Sequence, residues 1–531
     1  DEEKFARIFH LFGREAVASG SLEKFAASMP KPKGKAAKKG AIRATYQQVD
    51  ESFLELLDGY REALAKEFKT NNQHLDGEEL TEAVQRTLDR LVFIRFLEDK
   101  SIEEPSIIQL SAKPSAWNAF ASLCRSLEPK YNGLVFKQHR IIDNETFAPP
   151  DNEVFGAICA ELSDPSSPYD FDKIPISILG SIYERFLGKV VSTSEKRAKV
   201  IEKPEVRKAG GVYYTPEYIV RYIVQETVGK LIDGKTPAEI AKMAFADIAC
   251  GSGSFLLEVY GTLLDYHTRW YNEHSDYVPM PPYGIPKSGT KSVGTSSDRP
   301  NNALKTRRGE KKGDVETRDG KLVLSLKKRQ EILTNNIYGV DIDAQAYEVT
   351  QVSLYLKLLE EATMSEGFQF TLLKEKLLPD LKQNIICGNS LIERDILVTD
   401  EEEQKLKPMN FADAFPEIMK RGGFDAIVGN PPYVRSQQLE ESNKQYFQKY
   451  FEAAAYQPDT FAFFLEKAVT LLRQNGRLGY IIPNGILTNK YYSKLRQYLI
   501  AKTALEIIVD LKAGVFGNVA VDTSIFIARR S

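Results

Sequence analysis

Cysteine is scarce in this chain of 531 residues. Four occur, at 124, 159, 250 and 387, and no two stand in CxxC spacing. A disulfide-dense scaffold and a structural zinc site are both unexpected, and a reducing, cytoplasmic setting fits. Histidine is scarce too, with five in all, and no metal site is expected. Long apolar runs are missing. With no stretch of about 18 apolar residues, no membrane-spanning helix is expected. A signal peptide and an initiating Met are also missing, and the chain opens at Asp1 in a helix-like stretch, which suggests a segment of something longer. Neither sign of charge dominates: 71 Lys and Arg stand against 73 Asp and Glu, a formal net charge of -2. A nucleic-acid surface would therefore be a local patch.

What is present divides into three parts. Residues 1–44 hold a helix-like segment followed by a basic linker, KPKGKAAKKG, at 31–40. Residues 45–204 read as a mainly helical domain. Val49, Phe53, Leu57, Tyr60, Leu64 and Phe68 recur at helical spacing, and Leu80, Val84, Leu88, Leu91 and Phe96 mark a second helix from about Glu78. Residues 178–188, LGSIYERFLG with the preceding Ile, suggest a further packed helix. From about 205 to 531 short apolar runs alternate with helical segments, the pattern of an α/β doubly wound sheet. Seven strands are expected, at 243–249, 336–342, 384–389, 424–429, 477–483, 505–511 and 522–529, the last two as an antiparallel pair. An insertion near 271–330 is rich in Pro, Gly, Ser, Lys and Arg. Its stretch 287–329 carries 13 Lys and Arg against 5 Asp and Glu, and it reads as a mobile surface segment able to touch phosphates.

The chemistry-bearing motifs fall at strand ends, where open α/β sheets hold ligands. Asp247-Ile248-Ala249-Cys250-Gly251-Ser252-Gly253-Ser254-Phe255 follows the first strand and opens a helix. Its glycines allow close backbone approach. Leu256 stands where a dinucleotide loop needs its third glycine, and no phosphate P-loop pattern occurs. Asp341 ends the second strand, in position to accept from ribose hydroxyls. Asn389 follows the third; its amide would accept from an adenine amine and donate to a ring nitrogen. Thr215, in Gly211-Val212-Tyr213-Tyr214-Thr215-Pro216, either caps the helix that follows or reaches a ligand. Asn430-Pro431-Pro432-Tyr433 follows the fourth strand and presents an amide, a carbonyl, a stiff turn and an aromatic face, a set suited to a flat base with an exocyclic amine.

Taken in order, YYTP, DIACGSGSF, GVDID, GNSL and NPPY resemble the S-adenosylmethionine-dependent N6-adenine DNA methyltransferases of the gamma class. The resemblance covers about 205–531. The helical part, through LDRLVFIRFLEDK (88–100) and ILGSIYERFLG (178–188), is similar to the region before the methylase in fused type IIG restriction-modification enzymes. The resemblance implies a Rossmann-like class I methyltransferase sheet. It implies cofactor contacts from Tyr214, Thr215, Asp247, Ala249, Gly251, Gly253, Asp341, Ile342, Asn389 and Asn430. It implies catalysis by Asn430, Pro431 and Tyr433, with Phe516 as a second aromatic against the target base. Two departures stand out: Ile248 replaces a common Pro, and Asn389 stands where many members have Asp.

By this resemblance the protein methylates N6 of adenine in duplex DNA, with base flipping, as the modification part of a restriction-modification or phage-defence enzyme. A target-recognition domain would follow the chain and a nuclease would precede it. Glu98-Asp99-Lys100 supplies half of a nuclease signature without the upstream Pro-Asp, so this segment itself is not expected to cut DNA. Two rival functions use the same residues: a protein glutamine N-methyltransferase, whose carboxamide nitrogen poses the same problem, and a catalytically silent DNA-binding module.

Overall fold

The structure is a computed structural model that describes residues 49–131, 135–163, 176, 188–194, 197–202, 215–274, 313–318, 320–363, 366, 376–396, 399–452, 459–511 and 522–531. Tyr214, Phe516, the linker at 31–40 and the helix expected over 178–188, apart from Gly188, lie outside these residues. Packing divides the chain into Asp1–Leu56 and Leu57–Ser531. Of the first unit only 49–56 are described, as helix.

The second unit begins inside α1 (Val49–Asn71), where Leu57, Tyr60, Leu64 and Phe68 are buried as their spacing predicts. Helix α2 (Gly77–Asp99) starts with a capping box: Asp76 accepts from the Glu79 N–H at 2.8 Å, and Glu79 accepts from the Asp76 N–H at 3.1 Å. Arg90 of α2 is buried and uses its guanidinium fully. It bonds Asp143 twice, at 3.0 and 2.6 Å, and the carbonyls of Val135 and Lys137. Glu98 accepts from the N–H groups of Ser106 and Ile107 and the Ser106 hydroxyl, so its carboxylate closes a turn. A short helical turn at Ile107–Leu110 and helices α3 (Ala116–Leu127) and α4 (Asn152–Leu162) follow. The sequence pattern missed a hairpin there, β1 (Lys189–Ser194) with β2 (Arg197–Glu202). It packs on α2, where the Thr81 hydroxyl accepts the Val191 N–H at 2.9 Å.

The sheet domain runs through α5 (Glu217–Val224), β3 (Phe245–Asp247), α6 (Ser254–Glu273), the hairpin β4 (Val315–Arg318) and β5 (Lys321–Leu324), α7 (Leu326–Asn336), β6 (Ile337–Asp341), α8 (Ala344–Leu359), β7 (Ile385–Cys387), β8 (Phe424–Gly429), α9 (Glu441–Tyr450), α10 (Thr460–Leu471), β9 (Leu472–Pro483), α11 (Ser493–Lys502), β10 (Thr503–Leu511) and β11 (Thr523–Arg530). Seven strands pair in the order β10-β11-β9-β8-β3-β6-β7. All run parallel except β11, antiparallel to both neighbours. Each of the seven expected strands is present, and the sheet is the Rossmann-like one. Strands β3 and β8 are buried at every residue, because helices cover both faces of a parallel sheet. Helices α6 and α8 lie on one side of the sheet, and α10 and α11 pack around β9 and β10. An ion pair at 2.5 Å between Arg86 of α2 and Glu348 of α8 ties the helical part to the sheet domain.

The expected mobile insertion is corrected over 313–318 and 320–330, which are folded: β4 and β5 pair antiparallel and α7 begins at Leu326. Three of its charges, Asp314, Lys328 and Arg329, are buried. Arg329 is 1% exposed and bonds the Leu358 carbonyl and Glu366. Arg318 reaches the same Glu366 at 2.8 Å, and Lys328 pairs with Asp314 at 3.1 Å. A charge count treats such residues as solvated.

Candidate active site

The C-terminal ends of β3, β6, β7 and β8 open onto one cavity of about 420 Å³. Thr215, Asp247, Ala249, Gly251, Asp341, Ile342, Asn389, Asn430, Pro431 and Tyr433 all line it. Gly253 does not. It starts α6 at φ +86°, and a Cβ there would sit 3.0 Å from the Thr350 methyl. Its place is to turn the chain and let α6 and α8 approach, which only glycine does without strain.

The loop after β3 is held from below. The Cys250 N–H bonds the Val340 carbonyl at 3.0 Å, and Thr350 donates to the Gly251 carbonyl at 2.7 Å. Asp341 spans this loop and its own: Oδ2 accepts the Gly251 N–H and Oδ1 the Asp343 N–H, both at 2.9 Å. Asp247 accepts the Ala249 N–H at 3.0 Å. Strand β8 passes so close that a Cβ on Gly429 would lie 2.6 Å from Asp247 Oδ1, so no larger residue fits immediately before Asn430.

Asn430 is fixed from two sides. Its Nδ2 donates to Thr215 Oγ1 at 3.1 Å, and the Tyr433 hydroxyl donates to its Oδ1 at 2.6 Å. The amide oxygen and nitrogen are thereby distinguished. Thr215, 2% exposed, touches Asn430 as well as the cavity; Glu217 begins α5 without a side-chain cap from Pro216. The Tyr433 hydroxyl also lies 3.0 Å from the Ile481 carbonyl, and its ring meets Phe461 edge-on. The prolines are pinned by Thr460, which accepts the Val434 N–H and donates to the Pro432 carbonyl.

Asn389 is held by the turn that follows it. Its Oδ1 accepts the N–H groups of Leu391 and Ile392, at 3.0 and 3.2 Å. Those bonds fill the oxygen's two lone pairs, so an amine cannot also be received there.

Residues that the sequence reading missed form the opposite wall: Leu439, Asn443 and Phe447 near or on α9, and Thr460 and Phe464 on α10. The apolar run of α10 signals burial, but nothing in the sequence marks which of its residues face a ligand. Burial disfavours the thiolate form of the two cysteines beside the site. Burial pushes Cys250 well above the usual thiol range, and burial also raises Cys387, with Lys407 opposing. Among the described residues no group of three His, Cys, Asp or Glu is arranged to hold a metal, and no helix is long and apolar enough to cross a membrane.

Two family models match. The Eco57I restriction-modification methylase model covers residues 335–516, and the N-6 DNA methylase model covers 175–277. The chain is 28% identical, over 94% of its length and 44% of the relative's, to the type II restriction enzyme and methyltransferase RM.Eco57I of Escherichia coli. It is 22% identical, over 83% of its length and 48% of the relative's, to the putative type II restriction enzyme and methyltransferase RM.MjaORFECS2P of Methanocaldococcus jannaschii. The chain thus spans less than half the length of these curated relatives. Among solved structures, the type IIL restriction-modification enzyme MmeI in complex with DNA matches at a TM-score of 0.53 and 17% identity, over 89% of this chain and 57% of that one. That likeness concerns the fold.

Proposed function

We propose that this chain is a gamma-class N6-adenine DNA methyltransferase of the kind found in fused type IIG enzymes, and that it moves a methyl group from S-adenosylmethionine to N6 of an adenine flipped out of duplex DNA. The observation that carries the reading is the fixed amide of Asn430 at the mouth of a cavity built from strand ends. The cavity suits a nucleoside-bearing donor. It is within the roughly 300–1,000 Å³ of small-molecule sites, its walls are mostly apolar, and Asp341 and Asn389 bring polar groups to it.

The bound donor supplies a methyl group on a sulfonium, activated for attack. The chain supplies position. An adenine amine is a poor nucleophile because its lone pair is delocalised into the ring. Asn430 Oδ1 and the Pro431 carbonyl would each accept an N6–H, which favours tetrahedral nitrogen and turns the lone pair toward the methyl. The N–C bond would form as the S–C bond breaks to leave a neutral thioether, and the proton of the cationic nitrogen would then pass to water. No strong base is required. Tyr433, with Phe516, would hold the flipped ring by stacking.

Relatives named as combined restriction enzymes and methyltransferases support a protein in which this segment works beside a target-recognition region and a nuclease. The test is Asn430→Ala. Calorimetry should show S-adenosylmethionine binding near that of the parent, while methyl transfer to DNA falls about 100- to 1,000-fold, the range for loss of a preorganised polar group. Transfer at the parent rate would refute the assignment.

A further inference from the structure

The amide at the end of β7 has its oxygen occupied, yet a second amide across the cavity has a buried oxygen with no partner. Asn443 lies on α9 and lines the same cavity as Asn389. Its Oδ1 is buried and has no hydrogen-bond partner among the described residues. An orphaned acceptor at such a place is costly unless a ligand completes it.

The setting is built. Three residues on, the Tyr446 hydroxyl accepts the Glu393 N–H at 3.0 Å and donates to Asp395 at 3.1 Å. This fastens α9 to the segment that follows Asn389. One turn on, Phe447 stacks on Phe463 of α10 with ring centroids 4.5 Å apart. The position of Asn443 is therefore set by bonds at both walls rather than by solvent.

We propose that Asn443 accepts the exocyclic amine of the methyl donor's adenine, while Asn389 Nδ2 donates to a ring nitrogen. The inference rests on the donor assignment above. Its chemistry follows from the two amides: an amine needs an acceptor, Asn389 Oδ1 is filled, and Asn443 Oδ1 is empty. The pair reads adenine as a donor beside an acceptor, and rejects a purine lacking the amine by leaving Asn443 unpaired.

The test measures binding by calorimetry, using S-adenosylhomocysteine and its analogue with unsubstituted purine in place of adenine. The parent should prefer the adenine compound about five- to tenfold, the worth of one hydrogen bond to a buried acceptor. Asn443→Leu should abolish the preference, and Asn443→Asp, which keeps an acceptor, should retain it. Should the Leu variant fail to fold, Asn443→Ala carries the same comparison. A preference that persists without an acceptor at 443, or a parent with no preference, overturns this inference alone. A parent that binds neither compound overturns the donor assignment with it.

Discussion

The Tyr433 hydroxyl stands 2.6 Å from Asn430 Oδ1 and 3.0 Å from the Ile481 carbonyl. It has one proton and two acceptors. With no substrate the proton favours Asn430 and orients the amide. When an incoming amine bonds Asn430 Oδ1, the hydroxyl can turn to Ile481 without being left unsatisfied. In the proposed reaction Tyr433 would thus have a positioning task apart from offering its ring. Tyr433→Phe keeps the ring and should lower kcat about five- to tenfold, with little change in KM for the cofactor. An unchanged kcat in steady-state methylation assays would remove this role.

Thr215 acts through the other end of the same amide. Its hydroxyl accepts from Asn430 Nδ2 at 3.1 Å. Thr215→Val keeps the shape and removes the acceptor. Methyl transfer should fall about tenfold, the larger part in kcat, and Thr215→Ser should restore most of it. If the Val variant loses cofactor affinity and keeps kcat, Thr215 serves the cofactor alone.

The folded end of the basic insertion hangs on Glu366. This 4%-exposed carboxylate meets Arg329 at 3.0 Å, Arg318 at 2.8 Å, and the N–H groups of Leu326 and Thr363. Removing it strands a buried guanidinium. Glu366→Ala should lose about 3 kcal/mol or more in denaturant unfolding. A loss within about 0.5 kcal/mol, the usual range of surface changes, would show the cluster to be incidental.

Acid should weaken the fold through His267 on α6. Burial lowers its pKa from 6.5 to about 4; the Leu263 carbonyl, which accepts from Nδ1 at 2.7 Å, opposes, Lys328 adds to the lowering, and Asp314 opposes. The unfolded chain binds a proton near pH 6.5 that the folded one refuses until about pH 4. Its contribution is therefore complete above 6.5 and is lost as the pH falls toward 4, by up to about 3 kcal/mol. His267→Gln should flatten that part of the stability profile measured by denaturant titration. An equally steep profile in the variant would assign the acid loss elsewhere.

The sheet was readable because its strands are short apolar runs between turn residues, and β8 with Asn430 shows how far that reaches: a fully buried strand ends at a polar side chain. The first helices were readable from spacing; the Asp76 and Glu79 cap between them emerges only in the structure. The hairpin β1–β2 was not, because KVVSTS and RAKVIE are short and gain their fold by packing on α2. The charges of 313–329 misled because burial of Arg329 depends on Glu366, 37 residues away. Within the site, strand-end residues announce themselves by position. Asn389 was read for residue type, and only the local bonds to Leu391 and Ile392 reveal which end of its amide is free. Asn443 carries no sequence signal, since its place depends on how α9 closes over the cavity.

The most direct measurement is to express the protein, and separately Asn430→Ala, in a bacterial host free of adenine methylation, then digest the DNA to nucleosides and quantify them by mass spectrometry. The account predicts N6-methyladenine in DNA with the parent and a fall of about 100-fold or more with the variant. Equal N6-methyladenine from both proteins, or methyl groups found only on cytosine or on protein glutamine, would contradict it.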